Sequence, residues 1–210
     1  MNCLVCSNQD ISSFETSNDS KKHWSCNHCE AKFLDPIHYL SSNSEQERYR
    51  EHNNVVHDEG YRKFLSKVAD PLEKHLNKND SGLDYGCGHG PALADIMEKK
   101  GFQIDLYDPY FYPNKKVFNN KYEFITCTEA AEHFYNPLAE FNKMNEILNK
   151  GGILAVMTSL HDDSIDFESW YYRRDPTHVI FYKEKTFNII AKQRNWDYWL
   201  EDKNVIFLKK

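Results

Sequence analysis

No run in these 210 residues is apolar for long enough to cross a bilayer, and the opening stretch MNCLVCSNQD lacks a basic segment followed by a greasy one. The expected location is cytoplasmic, with no membrane partner. Excess positive charge is missing too: 32 acidic side chains against 26 lysines and arginines leave a formal net charge of −6. A chain of that balance has no broad positive field to gather a phosphodiester backbone, which disfavours nucleic acid as the main partner. Glycine and proline are scarce, at 8 and 7, and no internal repeat or low-complexity tract stands out. With 40% hydrophobic and 28% charged residues, the composition is that of a globular protein with room for one full α/β domain and a small appendage. The few glycines are concentrated: four of the eight fall in GLDYGCGHG, residues 82–90.

Residues 1–35 hold few aliphatics and cannot build a core unaided, but they carry two Cys-x-x-Cys pairs, Cys3 with Cys6 and Cys26 with Cys29. The 19 residues between the pairs suffice for a hairpin that brings both to one tetrahedral ion. Four soft ligands select zinc and leave no position open, so the expected ion is structural. Two disulfides or a redox pair are the competing readings; a redox pair normally opens a helix beside a βαβ unit, a context absent here. Cys87 and Cys127 stand apart in apolar surroundings.

Over 36–78 the chain is polar, with Tyr61, Phe64, Leu65, Val68, Leu72 and Leu76 recurring at helical intervals. This predicts one or two amphipathic helices, interrupted at Pro71, serving as lid or linker. From 79 to 210 short buried strands alternate with helices, the signature of a mostly parallel sheet covered on both faces. Strands are expected at 83–85, 102–107 and 122–126, and helices at 91–100, 137–148 and 184–194. Gly151-Gly152 should turn the chain into the apolar strand ILAVMTS, and two strand-like runs separated by 201–204 predict a terminal hairpin.

Gly86, Gly88 and Gly90 follow the first of these strands and lead into a helix at Pro91, where they permit a tight turn and close approach of a ligand to the backbone. Asp108, beyond the next strand, stands at the distance of an acid that binds ribose hydroxyls; capping the turn before Pro109 is its other reading. Asp84 discriminates between ligands, because a carboxylate at the strand end repels a pyrophosphate and attracts a cation. The loop therefore suits a nucleoside bearing an amino group and a sulfonium.

DYGCGHG resembles the first motif of the class I S-adenosylmethionine-dependent methyltransferases, Asp-x-Gly-x-Gly-x-Gly. The resemblance continues through EFITCTEAAEHFYNPLAEFNKMNEILNKGGILAVMTSL, residues 123–160, which is similar to that family's fourth strand, its Glu-His-x-x-x-Pro turn, the next helix and the Leu-x-x-Gly-Gly lead into its fifth strand. The resemblance implies a Rossmann-like methyltransferase sheet with a C-terminal antiparallel hairpin, preceded by a small zinc ribbon and a helical lid. It implies S-adenosyl-L-methionine as cofactor, with Asp84 beside the methionine amino group, Gly86, Gly88 and Gly90 backing the methionine and ribose, and Asp108 on the ribose hydroxyls. Glu129 falls where the family lines its cofactor cleft, or is a surface acid; His133 faces cofactor or substrate. Departing from the pattern, only PYFYPNKKVFNNK separates Asp108 from Tyr122. The family's helix there must be missing or minimal, its third strand no more than 116–118, and Tyr107, Tyr110 and Phe111 either pack on adenine or belong to the core.

The stretch LHDDSIDFESWYYRRDPTHVIFYKEKTF collects Tyr171, Arg173, Arg174, Asp175 and His178 where an acceptor should sit. It resembles the same segment in a group of cysteine-rich bacterial methyltransferases. Here the arginines are expected to bind charge and His178 to act as general base, with His133 as a second candidate; the bland readings are a packed histidine, a turn-capping Asp175 and a surface arginine. His161, Asp162 and Asp163 could join His178 around a metal, but their spacing is not diagnostic and no catalytic metal is expected. Tyr49 and His52, in the lid, are candidates for cofactor or substrate contact, or simply a packed helix face. The implied activity is methyl transfer to a small polar or hydroxylated metabolite. The alternatives are an RNA or protein methyltransferase docking through the ribbon, which predicts a basic strip from Lys21 and Lys22 to Arg173 and Arg174, and a non-catalytic S-adenosylmethionine-binding module.

Overall fold

A computed structural model describes residues 1–51 and 56–210. The N-terminal strands β1 (Ile11–Glu15), β2 (Lys22–Cys26) and β3 (Lys32–Leu34) form an antiparallel meander. Two helices follow, α1 (Ser42–Glu51) and α2 (Glu59–Glu73). Asp58 caps α2 by accepting from the Tyr61 amide at 2.6 Å. The expected interruption at Pro71 does not occur: Pro71 sits in the last turn of α2, where the missing N–H costs one bond just before the helix ends.

The α/β part comprises β4 (Ser81–Tyr85), α3 (Ala92–Lys99), β5 (Gln103–Tyr107), β6 (Tyr122–Thr128), α4 (Pro137–Ile147), β7 (Leu148–Met157), β8 (Ile180–Phe181), α5 (Glu184–Arg194), β9 (Asp197–Asp202) and β10 (Val205–Lys209). Its sheet has the order β5-β4-β6-β7-β10-β9. β5, β4, β6 and β7 run parallel, and β10 and β9 close it antiparallel as the expected terminal hairpin. Successive residues of a central strand enter opposite layers. Ile125, Leu154 and Ile206 pack with Phe141, Phe187 and Ile190 of α4 and α5, while Phe124, Ala155 and Phe207 pack with Leu65, Leu72, Leu93 and Met97 of α2 and α3.

Two expectations are corrected here. The glycine pair does not precede the strand but lies within β7: Gly151, at φ +82°, gives its amide to the Lys210 carbonyl at 2.7 Å, and the register slips so that Leu148 and Ile153 face Tyr122 and Phe124. Nor is there a third strand at 116–118; Lys115–Asn119 is a 3-10 turn, and β5 is the sheet edge. The sheet is one strand short because Asp108 to Tyr122 has no room for both a crossover and a strand.

β8 belongs to the other sheet. It pairs with β3, Lys32 opposite Phe181 and Phe33 opposite Ile180, so the ribbon's last strand is supplied from the far end of the sequence. Among the described residues no helix is long and apolar enough to cross a membrane.

Candidate active site

The carboxyl ends of β4, β5 and β6, roofed by α1, enclose a cavity of about 900 Å³. At its base the chain leaves β4 through Gly86 and Gly88, both left-handed at φ +81° and +64°. The carbonyl of Tyr107 accepts the Gly86 and Cys87 amides at 2.8 and 3.2 Å, which folds the loop over the end of β5. A Cβ on Gly86 would stand 2.6 Å from that of Ala130. Gly86→Ala therefore combines a clash with a strained dihedral and should lower stability by about 1–3 kcal/mol, read as a lower thermal midpoint together with weaker cofactor binding.

Asp84 is 2% exposed and accepts one hydrogen bond, from Thr126 Oγ1 at 2.8 Å. No lysine or arginine pairs with it among the described residues, and burial pushes its carboxyl up to about 6. Asp108 ties the two loops together: Oδ2 accepts from the Gly88 amide at 3.1 Å, and Oδ1 accepts from the amides of Tyr110 and Phe111 at 2.8 and 3.0 Å. Both expected uses of Asp108 are thus compatible, since a carboxylate has about four acceptor positions and backbone takes three. Tyr110 and Phe111 line the cavity; Tyr107 reaches it while packing edge-on to Phe118 in the core.

β6 is followed directly by Glu129, a non-glycine residue at φ +47° that lines the cavity. Burial, and the neighbouring Glu132 charge, push its carboxyl up to about 9. His133 and His178 meet with ring centroids 4.8 Å apart. Each ring is held by a backbone carbonyl: His133 Nδ1 by Thr177 O at 3.0 Å, and His178 Nδ1 by Tyr172 O at 2.6 Å. A carbonyl can only accept, so Nδ1 carries the proton in both rings and Nε2 keeps the lone pair. Burial holds His178 below the ordinary histidine range, which favours the neutral ring.

Helix α1 is fastened over the cavity by polar contacts. Arg48 of α1 donates from Nε and Nη2 to Asp175 Oδ2 at 3.1 and 2.8 Å, while Asp175 Oδ1 accepts from the Thr177 amide and hydroxyl. Tyr49 donates to Glu45 Oε1 at 2.7 Å and lies edge-on to His133. His52 lies outside the described residues. Tyr171 and Arg174 stand at the cavity wall. Arg173 does not: it is 8% exposed, donates to Asp19 Oδ2 at 2.9 Å and to the Phe167 carbonyl, and so corrects the expectation of an acceptor contact. It anchors the ribbon hairpin to the loop after β7. His161 is also elsewhere, beside Phe167 and Trp170 and away from His178.

Three groups in this cavity are given no role by the sequence. Glu45 accepts from both Tyr49 and Tyr110. Glu132, 0% exposed, accepts from Tyr172 at 2.5 Å and from Thr158 at 2.9 Å. Tyr61 of α2 lines the wall near Asp84 and Glu129. Glu132 was within reach, since it is the acid of the Glu-His turn that already marked His133; Glu45 and Tyr61 sit in a polar helical segment with no motif.

A family model described as a methyltransferase domain matches residues 49–201. The chain belongs to that family. This methyltransferase also shares its fold with solved structures. A Burkholderia thailandensis 1,6-didemethyltoxoflavin-N1-methyltransferase, bound to its substrate and S-adenosylhomocysteine, matches with TM-score 0.55 and 12% identity over 95% of this chain and 99% of the other. A Galdieria sulphuraria protein, a candidate sarcosine dimethylglycine methyltransferase, gives 0.54 and 19% over 75% and 74%. A Haloferax volcanii complex of the Trm112 methyltransferase activator with a candidate methyltransferase gives 0.50 and 8% over 74% and 77%. Identities this low speak for the fold alone. No curated protein matches.

The methyltransferase carries a four-cysteine cluster at the other sheet. Cys3, Cys6, Cys26 and Cys29 are all buried and unbridged, and their sulfurs lie within 4.8 Å of one another. Cys3–Cys29 and Cys6–Cys26 are each 3.6 Å apart, close to the roughly 3.8 Å edge of a tetrahedron with Zn–S bonds of about 2.3 Å. Such crowding favours loss of a proton: the hydrogen bond from Cys29 holds the Cys3 thiol below the ordinary cysteine range. The cluster can coordinate a structural zinc ion through all four sulfurs.

Proposed function

We propose that this enzyme methylates a hydroxyl or comparable polar group of a small metabolite, using S-adenosyl-L-methionine. The carrying observation is one cavity lined by Asp84 and the glycine loop together with Glu129, Glu132, His133 and His178. When bound, the cofactor supplies a methyl group on a sulfonium centre, ready for in-line displacement. The buried Asp84, which pairs with no lysine or arginine among the described residues, fits the positive methionine end, Gly86, Gly88 and Gly90 give it room, and Asp108 keeps an acceptor position for a ribose hydroxyl. Tyr110 and Phe111 offer flat surface for adenine. Tyr49 closes the cleft from above and excludes water.

On the acceptor side, Tyr171, Arg174 and Asp175 form the wall, and His133 and His178 present lone pairs that can draw the acceptor's proton away. A small acceptor is favoured over RNA because three of the four cations in the basic strip that RNA requires are engaged by carboxylates of this chain. Lys21 and Arg173 share Asp19, and Lys22 pairs with Asp35. Methyl-labelled S-adenosylmethionine should accordingly leave its label in pools of hydroxylated small molecules, and not in transfer RNA or unfolded protein offered in parallel. Label recovered in RNA or protein instead would overturn this choice.

A further inference from the structure

A buried carboxylate and two histidines meet at the cavity wall. Glu132 is fully buried, and its carboxylate is met by the hydroxyls of Tyr172 and Thr158 and by His133 Nε2 at 3.9 Å from Oε1, with no lysine or arginine paired to it among the described residues. One ligand atom from each of Glu132, His133 and His178 lies within 4.8 Å of the other two. The structure assigns a divalent metal site to Glu132, His133 and His178, distinct from the four-cysteine cluster and opening into the cavity.

Three observations carry it. First, the donors are two imidazoles and one carboxylate, a set that suits a first-row transition ion and is poor for magnesium or calcium. Second, the outer contacts are those that prepare a ligating histidine: each Nδ1–H is tied to a backbone carbonyl, Thr177 O or Tyr172 O, which fixes ring and tautomer and leaves Nε2 for the ion. The carboxylate is oriented in the same way by Tyr172 and Thr158. Third, three protein ligands leave positions open, and all three residues line the cavity, so an acceptor oxygen can join the ion.

This deepens the function proposed above and rests on it for the identity of the fourth ligand. With the ion bound, the two histidines would act on the acceptor through it and not as bases themselves: the ion lowers the pKa of a bound hydroxyl so that its proton passes to solvent. The favoured substrates are then those with an oxygen able to coordinate a metal, vicinal hydroxyls above all.

The test uses the full chain with zinc in its cysteine cluster. Cobalt(II) added to it should bind at about one further ion per chain and give weak visible d–d absorption without thiolate charge transfer. His178→Ala and Glu132→Gln should each weaken cobalt binding by more than about 100-fold. Retained zinc stoichiometry and an unchanged circular dichroism spectrum identify variants that still fold; Tyr172→Phe, which leaves all three ligands in place, should weaken binding by about 10–100-fold and serves if the others do not fold. Absence of a second ion in the natural protein, or equal cobalt binding in folded His178→Ala, overturns the site. Calorimetry with S-adenosylmethionine separates the two readings: cofactor binding without cobalt binding removes the metal and leaves the methyltransferase.

Discussion

Cys29→Ser is expected to unfold far more than the ribbon, lowering the thermal midpoint of the whole chain by more than about 10 °C. The four cysteines are not a bead on a string. They share one core cluster with Phe33, Phe187, Ile190 and Trp196, so α5 packs directly on them. Thr186 Oγ1 donates to the Cys29 carbonyl at 2.9 Å, Gln193 Nε2 to the Cys6 carbonyl at 3.0 Å, and Glu30 pairs with Lys183 and Lys185. A structural zinc contributes on the order of 10–16 kcal/mol in isolated fingers, comparable to the entire net stability of a domain, about 5–15 kcal/mol. Losing one ligand exposes a buried, unneutralised thiolate set to the hydrophobic layer that supports β7 and β10. Scanning calorimetry together with colorimetric zinc release checks this: the ion and the fold should depart in one transition. Zinc loss followed by an unaltered main transition would show the ribbon to be energetically separate.

Asp84→Asn is expected to strengthen the empty protein and weaken cofactor binding by about 100-fold or more. Burial raises the Asp84 carboxyl to about 6, whereas an unfolded aspartate titrates near 3.9. Between those values the folded chain holds the extra proton, so stability falls as pH rises through this window, and the cost is fully present above about 6. At neutral pH that cost is on the order of 2–3 kcal/mol, and asparagine removes it while keeping an acceptor for Thr126. The same charge is what a sulfonium-bearing amino acid needs. In the natural protein S-adenosylmethionine affinity should drop as pH falls through about 6; in the variant it should be low and flat. Thermal melts and calorimetric titrations at pH 5 and pH 7.5 test both halves, and a variant that is destabilised, or binds like the parent, contradicts this role for Asp84.

The parts of the molecule visible in the sequence are those specified by neighbours along the chain. A glycine-rich turn, a Cys-x-x-Cys knuckle, a strand read by its apolar run and a hairpin around residues 201–204 each need only a few consecutive residues. What escaped notice is specified by long-range pairing. β8 is two residues long and gives no periodic signal; it exists because β3 offers an edge to it. Arg173 shares its local pattern with Arg174, yet one meets Asp19, 154 residues away, and the other the cavity. Glu132 looked like the lesser half of a motif because a fully buried carboxylate cannot be distinguished from an exposed one until its hydroxyl partners are placed.

β8 has one more effect. Leu34 donates its amide to the Val179 carbonyl at 2.8 Å, and His178 is the very next residue. The proposed acceptor site therefore lies one residue from the pairing with the cysteine hairpin, and starving the hairpin of its ion, or oxidising its sulfurs, should lower turnover without touching any group that meets the substrate.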